Sequence, residues 1–236
     1  MDYMRLMAEE AYSVNGPLKV FEYNLFGLNL KFSESIVVEW IVMIILAVLF
    51  FILGHNLKVR PTSKRQVIAE MIVSTFSGMV NDSMGVRYKK YTPYIGALFC
   101  FSMLSSLMGL LGLRAPTADV SVVGAWGIIT FVLVQRNKFK TGGVKGFFKG
   151  FVEPMPFMLP FNLIGEVANP LSQTLRHFGN ILTGMVIGGL IYYALGHFAI
   201  ALPAILSLYF DLFSSLIQAY IFVTLTMSYV AMAECE

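Results

Sequence analysis

Long apolar runs, separated by short polar and basic stretches, dominate the pattern of this chain. The first run, residues 36–54, is long enough to cross a hydrocarbon core at about 1.5 Å per residue. Apolar runs at 91–113 and 120–135 predict two more crossings, and mostly apolar segments at about 157–195 and 199–233 predict two long helices. The pattern therefore predicts an all-α polytopic membrane protein with five membrane-crossing helices.

Residues 64–85 mix apolar and polar side chains instead of forming one apolar run. Val67, Met71 and Val80 share this segment with Glu70 and other polar residues. Such a mixture is typical of an amphipathic helix that lies at a membrane interface. We therefore expect one interfacial helix in addition to the five crossings.

Composition and charge agree with a membrane protein and predict its orientation. Of the 236 residues, 57% are hydrophobic and 13% are charged, whereas soluble domains carry about 25% charged residues. Two segments between the predicted crossings hold most of the Lys and Arg: Lys58, Arg60, Lys64, Arg65, Arg87, Lys89 and Lys90 in the first, and Arg136, Lys138, Lys140, Lys145 and Lys149 in the second. Because basic loops stay on the cytoplasmic side, we expect an external N-terminal segment (1–35), a single membrane domain (36–236) and a cytoplasmic C-terminus.

One Lys or Arg, Arg176, follows Gly150, and it lies inside an apolar segment. A charge at the bilayer centre costs roughly 2.5–3.5 kcal/mol, so it is expected to face a cavity, a partner or an ion pathway. Arg176 belongs to a series of polar residues spaced alternately three and four apart, which predicts one polar seam about 31 Å long on a helix. The series comprises Asn162, Glu166, Asn169, Gln173, Arg176, Asn180 and Thr183.

The last helix has a polar face of its own. Asp211 and Gln218 are seven residues apart, with two serines between them, so these groups share one side over two turns. Two interpretations remain open: the polar residues form an ion pathway, or they join two helices by hydrogen bonds, with Asp211 neutralising Arg176. His177 is offset by about 100° from Arg176 and is expected to pack against a neighbouring helix.

The stretch LRHFGN around Arg176, the segment LIQAYIFVTLTMSYV around Gln218 and the acidic end AECE resemble subunit a of bacterial F-type ATP synthases. The resemblance covers the whole chain in order. It implies that the last two helices are tilted against a rotating ring of c subunits, and that the chain is an ion-translocating stator subunit. It also implies two half-channels, coupling of proton or sodium flow to rotation through Arg176, and a place in the bacterial inner membrane. The implied partners are the c-ring, the b-subunit stalk and the rest of the ATP synthase.

The resemblance also implies roles for single residues. Asn180 and Gln218 would line the site around the arginine. The relay of the external half-channel would fall to Asp211, because many relatives carry a histidine there and a titratable residue where this chain has Met185. Many relatives carry lysine where this chain has Asn169, and Glu166 is a candidate for either half-channel. The expected ion-translocation residues are Arg176, Asn180, Gln218, Asp211, Glu166, Asn169 and Gln173.

The sequence contains no nucleotide-binding loop, no metal-ligand cluster and no Ser-His-Asp arrangement. We therefore expect no catalytic residue, metal or cofactor in this chain, and ATP chemistry on partner subunits. Residues 136–153, basic with interleaved aromatics, are typical of a loop on the membrane surface, so no nucleic-acid partner is expected. The alternative function is a stand-alone secondary transporter, which the lack of two similar halves argues against.

Overall fold

The computed structural model describes residues 19–25, 28–59, 63–111, 113–152, 155–195 and 208–233. Two antiparallel strands, β1 (Lys19–Leu25) and β2 (Leu28–Ser33), form a hairpin that leads directly into the first helix, α1 (Glu34–Gly54). Apolar residues pair with apolar ones along the hairpin, as Phe21 does with Phe32. This hairpin was not predicted, although the alternation of apolar and polar residues in both segments is typical of β-strands.

The remaining α-helices of the described residues are α2 (Lys64–Met84), α3 (Thr92–Leu107), α4 (Val120–Val152), α5 (Leu159–Leu195) and α6 (Ser214–Met232). Short 3-10 turns lie at Val86–Tyr91, Met108–Leu111, Pro116–Ala118 and Pro156–Met158, and a π-helix at Leu208–Phe213 leads into α6. The ends of α2 and α5 lie within two residues of the predicted bounds.

Three helices of the described part, α1, α4 and α6, are long and apolar enough to cross a membrane. Helix α3 has only 16 residues, and α5, with 37 residues, carries Glu166 and Arg176. The prediction of a helical membrane protein is confirmed. The five crossings and the interfacial position of α2 stay predictions.

The segment that follows Gln135 is helical, so the prediction of a loop there was wrong. Helix α4 continues through this segment to Val152, with one break at Gly143, whose φ is 61°. A positive φ of this kind costs a residue with a Cβ more than it costs glycine. The extension of α4 before this break carries Lys138 alongside α5.

The core lies between α2, α3, α4 and α6, and α1 packs on α3. One cluster consists of Val80, Tyr88, Ile95, Val223, Met227 and Val230, and a second of Leu98, Val122, Val123, Trp126 and Phe222. The contact of α1 with α3 uses Val38, Val42 and Leu46. Helix α5 lies outside these clusters, packed along α4 and, over a shorter length, against α6.

Candidate functional site

Helix α5 packs against its neighbours by one side and leaves the other side open. Successive residues of an α-helix are about 100° apart, so a series spaced three and four residues apart drifts slowly around the helix. The polar series therefore follows the border between the two sides. Gln173 is buried and Glu166 is half-buried, whereas Asn169, Arg176 and Thr183 are exposed. The seven residues of the predicted seam do not share one environment.

Gln173 points into the contact between α5 and α6. Its side chain is 2% exposed, and its amide donates to the Phe222 carbonyl at 2.7 Å and to Thr226 Oγ1 at 3.1 Å. Thr226 in turn donates to the Phe222 carbonyl at 2.9 Å. These hydrogen bonds join the two helices across otherwise apolar surroundings, as the structural interpretation of the seam expected for Gln173.

Asn180 and Gln218 meet across the same two helices. The Asn180 amide donates to Gln218 Oε1 at 2.8 Å, and Gln218 is 2% exposed. Asn180 lies one turn beyond Arg176 on α5. The structure thus brings two of the expected site residues into direct contact, one turn from the arginine.

Glu166 is held by two side chains of α4. Its carboxylate accepts a hydrogen bond from the Gln135 amide and forms an ion pair with the Lys138 ammonium. Gln135 and Lys138 lie 31 and 28 residues away in the sequence, so no local signal indicated these contacts. Glu166 and Asn169 also border a cavity of about 130 Å³ between α4, α5 and the end of α6.

Arg176 lies in a strip of small residues on the open side of α5. The other members of this strip are spaced three or four residues apart: Gly165, Ala168, Ser172, Gly179 and Thr183. A Cβ built at Gly165 or Gly179 meets no atom of the described chain within 4 Å. Sequence reasoning missed this strip, although small residues at helical spacing are a recognised signal for close helix approach. We refer to Gly165–Thr183 on this side of α5 as the open strip.

His177 faces the opposite way from its neighbour Arg176. It is 0% exposed, and its ring lies edge-on to Trp126 at 5.6 Å and to Phe222 at 5.7 Å between centroids. Neither ring nitrogen has a hydrogen-bond partner among the described residues. The prediction that His177 packs against a neighbouring helix is confirmed.

A close approach of α4 fixes the position of α5 near the arginine. A Cβ added to Gly127 of α4 would overlap the Thr174 hydroxyl and lie 3.3 Å from the Pro170 carbonyl oxygen. Pro170 lies inside α5, where it cannot donate a hydrogen bond to the carbonyl of Glu166. Contacts with α4 therefore hold α5 on both sides of this gap in its hydrogen-bond ladder.

Asp211, the expected external relay, belongs to the π-helix Leu208–Phe213, and its side chain lies outside the described residues. This π-helix contacts α3 and α5 as well as α6. Single turns of π-helix are frequent at functional sites. The π-helix that carries Asp211 thus contacts three helices, and Asp211 lies one turn before the buried Ser215.

Comparison with known proteins gives consistent matches over most of the chain. The family model described as ATP synthase A chain matches residues 36–231. A relative from Propionigenium modestum, named ATP synthase subunit a, sodium ion specific, is 37% identical over 212 residues, covering 83% of this chain and 72% of the relative.

Relatives from other bacteria match over similar lengths. The ATP synthase subunit a of Moorella thermoacetica is 30% identical over 199 residues, covering 84% of this chain and 89% of the relative. That of Legionella pneumophila strain Philadelphia 1 is 29% identical over 226 residues, covering 95% and 94% of the two chains. The chain therefore belongs to the ATP synthase A chain family, the family of ATP synthase subunit a.

Proposed function

We propose that this chain is the ion-translocating stator subunit of an F-type ATP synthase and couples ion flow to rotation of a c-ring through Arg176. The observation that carries the proposal is the open strip, in which one cation stands among small residues on an exposed helix side. Small residues let another helix approach closely. An exposed arginine on such a surface is positioned to meet a group that the approaching helix carries.

The partner group that fits Arg176 is a carboxylate of the ring. A carboxylate that holds its ion is neutral and can move through lipid, whereas an empty one is charged and cannot. The guanidinium is positively charged and stabilises the empty carboxylate. Each arriving carboxylate therefore releases its ion beside Arg176. Movement of one charge through the membrane potential supplies about 2.3 kcal/mol per 100 mV for rotation.

The proposal includes two half-channels, one on each side of the membrane. Arg176 repels cations and so prevents ions from passing directly from one half-channel to the other. Asn180 and Gln218, which are hydrogen-bonded to each other, line the site next to the arginine. Asp211 relays ions in the external half-channel. Asn169 borders the cavity between α4, α5 and the end of α6, and we assign to it the access of ions from the cytoplasm. Gln173 holds α5 and α6 together between these routes.

The proposed arrangement in the membrane has five crossings and an interfacial α2. The N-terminus is outside and the C-terminus is in the cytoplasm of a bacterial cell, with the b-subunit stalk as a further partner. Support comes from the distribution of Lys and Arg, which favours the cytoplasm for the segments around α2 and after Gln135.

The transported ion is a proton or Na⁺. Carboxyl groups such as that of Asp211 suit a proton relay. Na⁺ is the second candidate, because the name of the relative from Propionigenium modestum states that it is sodium ion specific. One measurement on the assembled complex distinguishes the two ions.

The test is ATP-driven pumping by inverted membrane vesicles that contain the complete complex, with wild type compared with Arg176→Ala. We expect the substitution to abolish pumping while the complex still assembles. Arg136→Ala is the matched control, because Arg136 is an exposed arginine that lies on α4 and not on α5, the helix that carries the open strip. Normal pumping by Arg176→Ala would make the arginine a packing feature and overturn the proposal.

The wild-type trace then identifies the ion. Acidification that a protonophore abolishes indicates protons, and sodium-dependent transport that resists the protonophore indicates Na⁺. Expression of the chain without the other subunits tests the stand-alone transporter, which requires ion or solute uptake under those conditions. Our proposal expects no such uptake.

A further inference from the structure

The ion pair between Lys138 and Glu166 lies at the beginning of α5, ten residues before Arg176. The two side chains are only 16% and 13% exposed, and the Lys138 ammonium also lies 5.8 Å from the centroid of the Phe151 ring. Gln135, one turn before Lys138, adds a hydrogen bond to the same carboxylate. Glu166 is thus bound by two groups of α4 and largely shielded, and both members of the ion pair also border the cavity of about 130 Å³.

The pair lies where α5 lacks one of its own backbone hydrogen bonds. Pro170 has no N–H, so the carbonyl of Glu166 lacks its usual partner four residues on. A helix bends most easily at such a point. The Glu166 contacts attach the first turns of α5 to α4, and the close approach of Gly127 to Thr174 attaches the next turn. Arg176 follows Thr174 by two residues.

We propose that the Lys138–Glu166 pair is a positioning device, which holds α5 against α4 across the Pro170 gap and so sets the depth and rotation of Arg176. Glu166 then carries no translocated ion. This inference rests on the proposed function of Arg176. It differs from a relay role for Glu166 in one respect: a positioning pair needs opposite charges at the two positions, whereas a relay needs a titratable carboxyl at position 166.

Charge exchange separates these roles. Glu166→Lys and Lys138→Glu each place two like charges in a half-buried contact, and either change leaves a charge uncompensated. We expect each single variant to lower the pumping rate per assembled complex by at least about tenfold, because the like charges repel each other and push α5 away from α4. The double variant, Glu166→Lys with Lys138→Glu, restores opposite charges and should return to within about threefold of wild type.

The measurement is the initial rate of ATP-driven pumping in inverted vesicles with the complete complex, normalised to complex content and repeated across pH. The double variant should keep the wild-type pH profile, because no titrating relay has been removed. If a single variant fails to assemble, recovery of complex content by the double variant is the expected result. A double variant that pumps or assembles no better than the worse single variant, or whose pH profile is displaced, overturns the inference.

Two controls accompany the exchange. Lys140→Glu makes the same change at an exposed lysine two residues from Lys138 and should pump like wild type. Arg176→Ala is measured in the same series. If Arg176→Ala pumps normally, the proposed function fails whatever the exchange does. If Arg176→Ala is inactive and the exchange does not recover, the positioning role alone fails.

Discussion

At the scale of single residues, Arg176 and His177 are neighbours with opposite environments. Arg176 is exposed on the open strip, whereas His177 is fully buried between Trp126 and Phe222. The 100° step between consecutive helical residues turns one toward the chain's own core and the other away from it. Two adjacent polar residues therefore have different environments: Arg176 is exposed, and His177 is packed between aromatic rings.

The packing role of His177 predicts that an aromatic replacement is tolerated. His177→Phe keeps the ring and removes two nitrogens that have no hydrogen-bond partner among the described residues, so pumping should stay within about twofold of wild type between about pH 5.5 and 8. His177→Ala, by contrast, leaves a cavity that costs about 2–4 kcal/mol and should lower the amount of complex. Pumping and complex content are measured together. Loss of pumping in His177→Phe would contradict the packing role and would mean that the imidazole nitrogens make a polar interaction that pumping requires.

At the scale of helices, α5 takes its position from α4. Gly127 allows the two backbones to approach at Thr174 and Pro170, and the Glu166 contacts lie one turn before Pro170. Because α5 lies outside the main core clusters, these contacts and the hydrogen bonds from α5 to α6 together determine where its open side points. The position of the arginine is therefore a property of the helix pair more than of α5 alone.

Gly127→Ala should disrupt this pair. The added methyl group overlaps the Thr174 hydroxyl, and overpacking of this kind costs about 1–3 kcal/mol. We expect less assembled complex, measured by immunoblot of membranes, and partial recovery on adding Thr174→Ala. Gly124→Ala is the matched control, since its Cβ would lie 4.0 Å from the Thr174 methyl carbon in ordinary contact. Equal complex content in both glycine variants would contradict the close approach.

At the scale of the whole molecule, the chain is a membrane subunit of a larger complex. As a subunit a, it is the membrane ion-channel component and not a catalytic subunit. Apolar side chains remain exposed on α5 around the strip, among them Ile164, Val167 and Leu171. Such a surface is suited to lipid or to helices of another subunit.

Gly179→Leu tests whether a partner approaches the open strip. No atom of the described chain lies within 4 Å of the new Cβ, so the chain itself should insert normally. A ring helix that approaches closely would meet the side chain, and we expect ATP-driven pumping to fall by at least about tenfold. Gly146→Leu, on α4 with similarly open surroundings, should have little effect. Wild-type pumping by Gly179→Leu would contradict close contact at this position.

Much of the fold follows from local patterns in the sequence. Apolar runs located α1, and mixed polarity located α2, because helix length and amphipathicity are properties of neighbouring residues. The hairpin of β1 and β2 was not predicted, although its signal, the alternation of apolar and polar residues, is equally local. The helical path of residues 136–152 was not predicted because glycines and basic residues there are also typical of a loop.

The candidate site likewise has features that follow from the sequence and features that only the tertiary structure determines. Sequence alone determined that α5 carries a polar series with one arginine, because spacing along a helix is independent of the rest of the chain. Only the tertiary structure decided that Gln173 and Glu166 bind neighbouring helices while Arg176 stays exposed. The physical reason is that a seam along the border of a helix has no preferred direction until packing sets the rotation of that helix. Contacts such as Lys138–Glu166 join residues 28 apart and exist only after that packing.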